Sequence, residues 1–387
     1  MRVLHLAPDE AAGSGIAAYG VAFRAALARA GIEAEPLVAR AAVFNTVLDV
    51  TRYVSCATEA AREYDIVHVE IGAAALRQFY GALAVELRTK TPTFLTVHDP
   101  PNLAWFPLYF TGMRRHRHVA GLARRVGNGP GVALDRLALR RAAGTFALTT
   151  AGVDRLRARV NSEHADSIQL LPYPRRIATG SAQPQHRAGA DLTIGFLGFW
   201  YPGKGIEDLV HVIGKLRAQG VSIRARLWGD ISPTAGAHIG AAYREHVLNA
   251  IRRERVGDLI SVEGFLAEDV LVQQLATCDA LVLPFSAVPE RGLIVYSTSA
   301  ALHDAYAAGI PVVVANTRAL RDTAVNDATV FYDAGDLEAL ARALRRLATD
   351  RPYLEQLQAA ATVQAEAHDA SACGAVARAA YEAALGR

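Results

Sequence analysis

The chain has 387 residues, more than one hydrophobic core usually organises, so two domains of ordinary size are expected. A formal net charge of +3 is small for that length, so composition excludes a general case for nucleic-acid binding and confines any basic surface to a local segment. The three cysteines, Cys56, Cys278 and Cys373, lie far apart without a Cys-x-x-Cys pair, which argues against a disulfide framework or a structural zinc site and favours a reducing compartment.

Met1-Arg-Val-Leu-His-Leu-Ala-Pro8 opens on a strand-like apolar stretch too short for a signal peptide. No run of about 18 apolar residues follows, so a soluble cytoplasmic protein is expected, with at most peripheral contact on the inner face of a membrane. The runs Val3–Ala7, Asp65–Ile71, Thr93–Val97, Thr145–Thr149 and Ile168–Leu171 read as strands separated by helix-length intervals. After the first of them, Gly13-Ser-Gly15 leads into an amphipathic helix with Ile16, Tyr19, Phe23 and Leu27 on one face. Thr96-Val-His-Asp99 places His98 and Asp99 at a strand end. Gly112–Val126 concentrates five arginines, Arg114, Arg115 and Arg117 among them, with two histidines. Such a segment suits an anionic partner at a membrane surface, or equally a solvated helix face.

Pro172-Tyr-Pro-Arg-Arg-Ile177 and the polar stretch to Arg187 interrupt the pattern, so the expected division is 1–175, a linker 176–190, and 191–365. The second half starts again, with strands expected at Leu192–Leu197, Ile223–Trp228, Leu259–Val262, Ala280–Pro284, Pro311–Ala315 and Thr329–Tyr332. Its first helix repeats the amphipathic pattern in Leu209, Val212, Ile213 and Leu216. Continuous apolar strands between helices indicate parallel sheets covered on both faces, so the fold class is α/β with two doubly wound Rossmann-like domains. Ala-rich helices close the chain, and the last, within 366–387, is placed to cross back onto the first domain.

The most informative segment is Phe196-Leu-Gly-Phe-Trp-Tyr-Pro-Gly-Lys204-Gly205, which joins a strand, a glycine turn, a lysine and a helix start. Lysine is scarce here: the others are Lys90 and Lys215. Flanking glycines let an anion approach the backbone, the helix N-terminus carries partial positive charge, and the ammonium adds a compact donor. A phosphate fits there, although a plain strand-to-helix turn with a solvated lysine has the same local sequence.

Taken in order, the first glycine loop, Thr96–Asp99, Gly198 with Gly203-Lys-Gly205, and Asp304-Ala-Tyr-Ala-Ala-Gly-Ile-Pro-Val-Val313 resemble glycosyltransferase family 4 of the GT-B fold over nearly the whole chain. The resemblance implies retaining transfer of a sugar from a nucleotide-sugar donor held mainly by the second domain. The acceptor, held mainly by the first, would be a glycan, a lipid-linked sugar or a small metabolite, and the cleft between the domains is the expected site. It implies that Gly13 and Gly15 meet the donor diphosphate, that His98 touches the donor sugar and acts in catalysis, and that Asp99 orients the loop or contacts acceptor. Lys204, beside Gly198, matches the family lysine that stabilises the departing diphosphate. The family arginine after the strand glycine is replaced by Phe199, with Arg291 or Arg318 available to supply the charge. Of the family's two glutamates, the second falls on Asp304; the first falls on Tyr296 by strict counting or, preferably, on Glu290 within Glu290-Arg291-Gly292-Leu293. Arg114, Arg115 and Arg117 would then contact an anionic acceptor.

No Asp-x-Asp motif occurs, so no metal site and no cofactor beyond the nucleotide-sugar co-substrate is expected, and no nucleic-acid partner. The altered acidic motif keeps open a second reading, a nucleotide-sugar-binding subunit that supports an active partner. A sugar-nucleotide epimerase lacks evident acid/base pairs, and a dinucleotide oxidoreductase is disfavoured because the first glycine pattern ends in Ala18.

Overall fold

A computed structural model describes residues 1–9, 14–37, 47–72, 76–100, 103, 131–174, 191–231, 237–285, 298–367 and 371–386. The chain divides into two units, Met1–Pro174 with Ala370–Arg387, and Arg175–Asp369. The division therefore falls at the proline-rich turn, and the expected linker 176–190 lies outside the described residues.

The first unit is built on strands β1 (Arg2–Leu6), β2 (Glu33–Pro36), β3 (Ile66–Ile71), β4 (Thr93–Val97), β5 (Gly144–Ala147) and β6 (Ile168–Leu170). They pair in parallel in the order β2-β1-β3-β4-β5-β6. The intervening helices are α1 (Gly15–Arg29), α2 (Val47–Ala60), α3 (Leu76–Arg88), α4 (131–141), α5 (Thr150–Arg157) and α6 (Ser162–Ala165). Strands β3 and β4 are buried at every residue, as β-branched runs covered by helices on both faces must be. Strand β2 was not foreseen: Glu-Ala-Glu-Pro carries no apolar run, because as a short edge strand it needs only one neighbour and tolerates charge.

The second unit contains β7 (Leu192–Leu197), α7 (Ile206–Ala218), β8 (Ile223–Trp228), α8 (Ala237–Arg253), β9 (Ile260–Gly264), α9 (Glu268–Leu275), β10 (Ala280–Leu283), α10 (Ala300–Ala307), β11 (Val312–Ala315), α11 (Arg318–Thr323), β12 (Thr329–Tyr332), α12 (Leu337–Thr349) and α13 (Arg351–Ala367). Its parallel sheet runs β12-β11-β10-β7-β8-β9, with the first strand central and the order reversing beside it. Both units thus have the doubly wound arrangement, whose ligand-binding edge is the carboxyl end of the strands.

The last helix, α14 (Ala372–Ala384), packs against α1 in the first unit. A methyl at Gly374 would lie 2.2 Å from the Ala26 carbonyl oxygen, so only glycine allows this approach. Arg378 donates to the Ala30 carbonyl at 3.0 Å, and Tyr381 is fully buried.

Candidate active site

In the first unit the parallel register sets His5 of β1 beside His68 of β3, and Glu70 of β3 beside Thr96 of β4. Residues two apart on a strand share a face, so His68 and Glu70 project together. His98 follows the end of β4 and is held there by donation of its backbone N–H to the Ile71 carbonyl at 2.8 Å. The result is a buried polar cluster: His5 Nε2 donates to Glu70 Oε1 at 2.9 Å, and His98 Nε2 donates to Glu70 Oε2 at 2.8 Å. Glu70 is 0% exposed, whereas the His98 side chain retains 10%. The Tyr19 ring meets His98 edge-on at 4.6 Å and Tyr173 at 5.4 Å.

Burial alone drives a carboxyl upward, but at Glu70 the hydrogen bonds from His5 and His98 outweigh it, leaving the group at about 2. Burial pushes His68 down to about 3, so its ring is neutral. Tyr381, whose phenol is raised by burial, donates to His68 Nδ1 at 2.6 Å, which leaves Nε2 to donate to Thr96 Oγ1 at 2.7 Å. Sequence reasoning selected His98 but missed Glu70, His68 and His5. Their signal is the period-two placement of polar groups inside an otherwise apolar strand.

Of the other expected residues here, Gly15 begins α1 behind the Ser14 cap, whose hydroxyl accepts from Ala17 N at 3.1 Å. A methyl at Gly15 would meet nothing within 4 Å, so the backbone is open to approach. Gly72 lets this end of α1 and Asp99 come close: a methyl there would stand 2.2 Å from Ile16 Cδ1 and 3.3 Å from Asp99 Oδ2. Gly15, His98 and Asp99 therefore gather at one edge of the sheet. Gly13, Arg114, Arg115 and Arg117 lie outside the described residues.

In the second unit, β7 ends at Gly198, whose N–H donates to the Trp228 carbonyl at 3.1 Å. Trp200 N donates to the Asp230 carbonyl at 3.0 Å and its ring is 1% exposed, which anchors the turn. Gly205 precedes α7 at φ +66°, and a methyl there would stand 1.8 Å from the Pro284 carbonyl oxygen, so glycine is obligatory where the turn crosses the end of β10. This geometry sets Lys204 Nζ 4.0 Å from the centroid of the Phe285 ring and 5.0 Å from that of Tyr201. Burial lowers the ammonium to about 8, and no carboxylate among the described residues is paired with it.

The helix end contributes less than its sequence suggests: the Ile206 N–H donates to the Tyr243 hydroxyl at 3.1 Å, and Tyr243 in turn donates to Glu207. Phe199, standing where a cation was expected, meets Phe265 edge-on at 5.6 Å, and Phe265 is 58% exposed. Arg318 is exposed at the start of α11. Asp304 is 2% exposed on α10, just before the Gly309 turn at φ +70°. Glu290, Arg291, Gly292 and Leu293 lie outside the described residues, in the segment that follows β10 and Phe285. Among the described residues no group of three or more His, Cys, Asp or Glu side chains could hold a metal ion, and no helix is long and apolar enough to cross a membrane.

Residues 191–350 match the family described as "Glycosyl transferases group 1". That match falls within the second unit. No curated protein sequence matches the chain. Solved structures do: sucrose-phosphate synthase from Thermosynechococcus elongatus aligns over 100% of this chain and 99% of its own at 14% identity, with a TM-score of 0.74. The Anabaena protein HepE in complex with UDP-glucose aligns over 98% and 99% at 16% identity, with a TM-score of 0.70. A glycosyltransferase from Rickettsia africae aligns over 99% and 98% at 14% identity, with a TM-score of 0.66. At these identities the likeness establishes the fold, and that fold is GT-B. The matched span carries Gly198, Lys204 and Asp304, and His98 and Glu70 belong to the other unit.

Proposed function

We propose that this chain is a retaining hexosyltransferase of family 4 type that uses a nucleotide-sugar donor and needs no metal ion. The observation that carries the reading is Lys204: an ammonium depressed by burial, without a carboxylate partner among the described residues, at the carboxyl edge of the group 1 glycosyltransferase sheet. A cation held at an energetic cost is a place where a departing diphosphate gains most. In the reaction the bond from the anomeric carbon to the diphosphate oxygen breaks, and its electron pair stays on the phosphate. The acceptor oxygen bonds to the same face of that carbon, and its proton passes to the leaving phosphate. Lys204 stabilises the developing charge, Glu290 and Asp304 bind donor hydroxyls, and His98 positions the sugar. The segment 112–126 contacts the acceptor, a glycan, lipid-linked sugar or small metabolite. A uridine diphosphate sugar is the first donor to try, because HepE is a structural relative seen with UDP-glucose.

The test is thermal stabilisation by UDP-, GDP-, ADP- and TDP-sugars, wild type beside Lys204→Ala, followed by donor hydrolysis without acceptor. A ligand at 100 times its dissociation constant adds about 2.7 kcal/mol, a shift of several degrees. A selective shift, lost in Lys204→Ala and accompanied by slow hydrolysis, supports the transferase; no shift with any member refutes it. The pairing of Phe199 with Phe265 in place of a second cation favours one alternative, a weakly active or inactive donor-binding subunit, for which binding without turnover is the expected result.

A further inference from the structure

Two separate constraints bring aromatic rings to Lys204. The first is local: in Tyr201-Pro202-Gly203-Lys204 the Lys204 N–H donates to the Tyr201 carbonyl at 3.2 Å, and Gly203 stands at φ +98°, the pattern of a type II turn with proline and glycine at its centre. The turn sets the Tyr201 ring centroid 5.0 Å from Lys204 Nζ. The second is tertiary: Gly205 crosses the end of β10 so closely that a methyl on it would stand 1.8 Å from the Pro284 carbonyl oxygen. The chain neighbours of that crossing, Lys204 on one side and Phe285 on the other, are thereby brought together, and Nζ lies 4.0 Å from the Phe285 centroid. Phe285 is 2% exposed and packs in the core of the second unit, so its ring is a fixed platform. Tyr201, Lys204 and Phe285 all belong to that unit.

What holds an ammonium decides what it can still bind. A carboxylate holds the charge by cancelling it, and it repels an incoming phosphate. An aromatic face attracts the cation through its quadrupole and brings no formal negative charge. It meets one side of a group that has three N–H donors, so donors remain for an anion. We propose that Phe285, with Tyr201 as the second ring, is a positioning residue for Lys204: the pair seats the ammonium, charged and ordered in advance, so that a diphosphate group meets it without rearranging it. Burial works against the charge, and the rings oppose that loss. The anion's part as a leaving group rests on the transferase reading above; the aromatic seat and its use for a diphosphate do not.

The experiment exploits the scarcity of lysine: with Lys90, Lys204 and Lys215 the only three, isotope labelling of lysine in the full chain gives three ε-methylene NMR signals, and Lys204→Met identifies one of them. In wild type, ring currents are expected to place the Lys204 ε-protons upfield of the other two, and Phe285→Leu should remove most of that shift. The titration midpoint of Lys204, about 8 in wild type, should fall further in Phe285→Leu, because the charged form loses its ring. A merely structural ring gives the opposite sign: its loss admits water, and the midpoint rises toward the ordinary 10.5. Calorimetric titration with inorganic pyrophosphate at pH 7 reads the consequence, and Phe285→Leu should weaken binding roughly two- to tenfold, the range that ordering one long side chain on binding represents. Lys204 ε-protons without an upfield shift in wild type overturn the proposal with no variant needed, which keeps it testable if Phe285→Leu fails to fold. A raised midpoint, an unchanged pyrophosphate affinity in the variant, or no pyrophosphate binding to wild type also overturns it. The expected shift, midpoint and affinity without hydrolysis of any nucleotide-sugar support the aromatic seat and count against the transferase reading alone.

Discussion

Replacing Lys204 with methionine removes the ammonium while keeping a long, unbranched apolar side chain against Phe285 and Tyr201. Burial lowers Lys204 from an ordinary 10.5 to about 8, a difference that corresponds to about 3 kcal/mol against the charged form. A lysine depressed in the folded state costs its full penalty at neutral pH, and the cost fades only as pH rises from 8 to 10.5. The residue keeps partial exposure, and the ring faces return some energy, so the net gain for Lys204→Met is roughly 1–2 kcal/mol. For a unit of this size that raises Tm by roughly 2–8 °C. Calorimetry at pH 7 checks it directly: the ligand-free variant should melt higher than wild type, and the difference should narrow as pH approaches 10. Saturating UDP should stabilise wild type and leave the variant nearly unmoved. A lower Tm in the ligand-free variant, or an equal response to UDP in both proteins, would refute the argument that a cation without a carboxylate partner among the described residues is kept there for an anionic ligand.

Glu86 on α3 has both carboxylate oxygens buried and without a hydrogen-bond partner among the described residues, and burial raises it to about 8 with Arg141 opposing. A carboxyl raised in the folded state loses stability as pH climbs from 4.5 through 8, so Glu86→Gln should raise Tm at pH 8.5 and leave it almost unchanged at pH 4.5; a lower Tm at pH 8.5 would exclude this. Gly205→Ala brings a methyl to 1.8 Å from the Pro284 oxygen at φ +66° and should cost about 2–4 kcal/mol in urea unfolding. Gly203→Ala, at φ +98° with nothing within 4 Å, should cost only about 1 kcal/mol; equal losses would remove the steric argument. His68 is held at about 3 against an ordinary 6.5, so the unfolded chain binds a proton that the folded one refuses, and stability should fall below pH 6.5 by up to about 1.4 kcal/mol per unit. Glu70 adds to the decline below pH 4.5. Urea unfolding of wild type and His68→Gln between pH 7 and 5 should show the slope flattened in the variant.

Most strands were legible because parallel sheets buried on both faces demand apolar β-branched runs: Thr93–Val97, Leu192–Leu197, Ile223–Trp228 and Thr329–Tyr332 fall where those runs do. The edge strand Glu33–Pro36 needs no such run and left no mark in the pattern. At the site, the Lys204 turn was readable because glycines with positive φ and a lysine leave a local signature. The Glu70 cluster was not, since it unites residues 63 and 65 positions or more from His5 through sheet register, which a linear pattern does not carry. Phe199 read as a missing charge; its partner Phe265 lies on another strand's end and only the fold brings the rings together.

The placement of α14 has a consequence for how the chain is made. Synthesis delivers the six strands of the first unit early, yet the helix that covers Phe94 and His68 on one face arrives only after the whole second unit has been translated. Domains usually mature in the order they emerge. Here the second unit, being one continuous stretch, can finish first, while the earlier-born sheet waits on the ribosome with that face bare. A nascent chain stalled before residue 372 should therefore be the species that chaperones hold and proteases cut, and cleavage should fall in the first unit rather than the second.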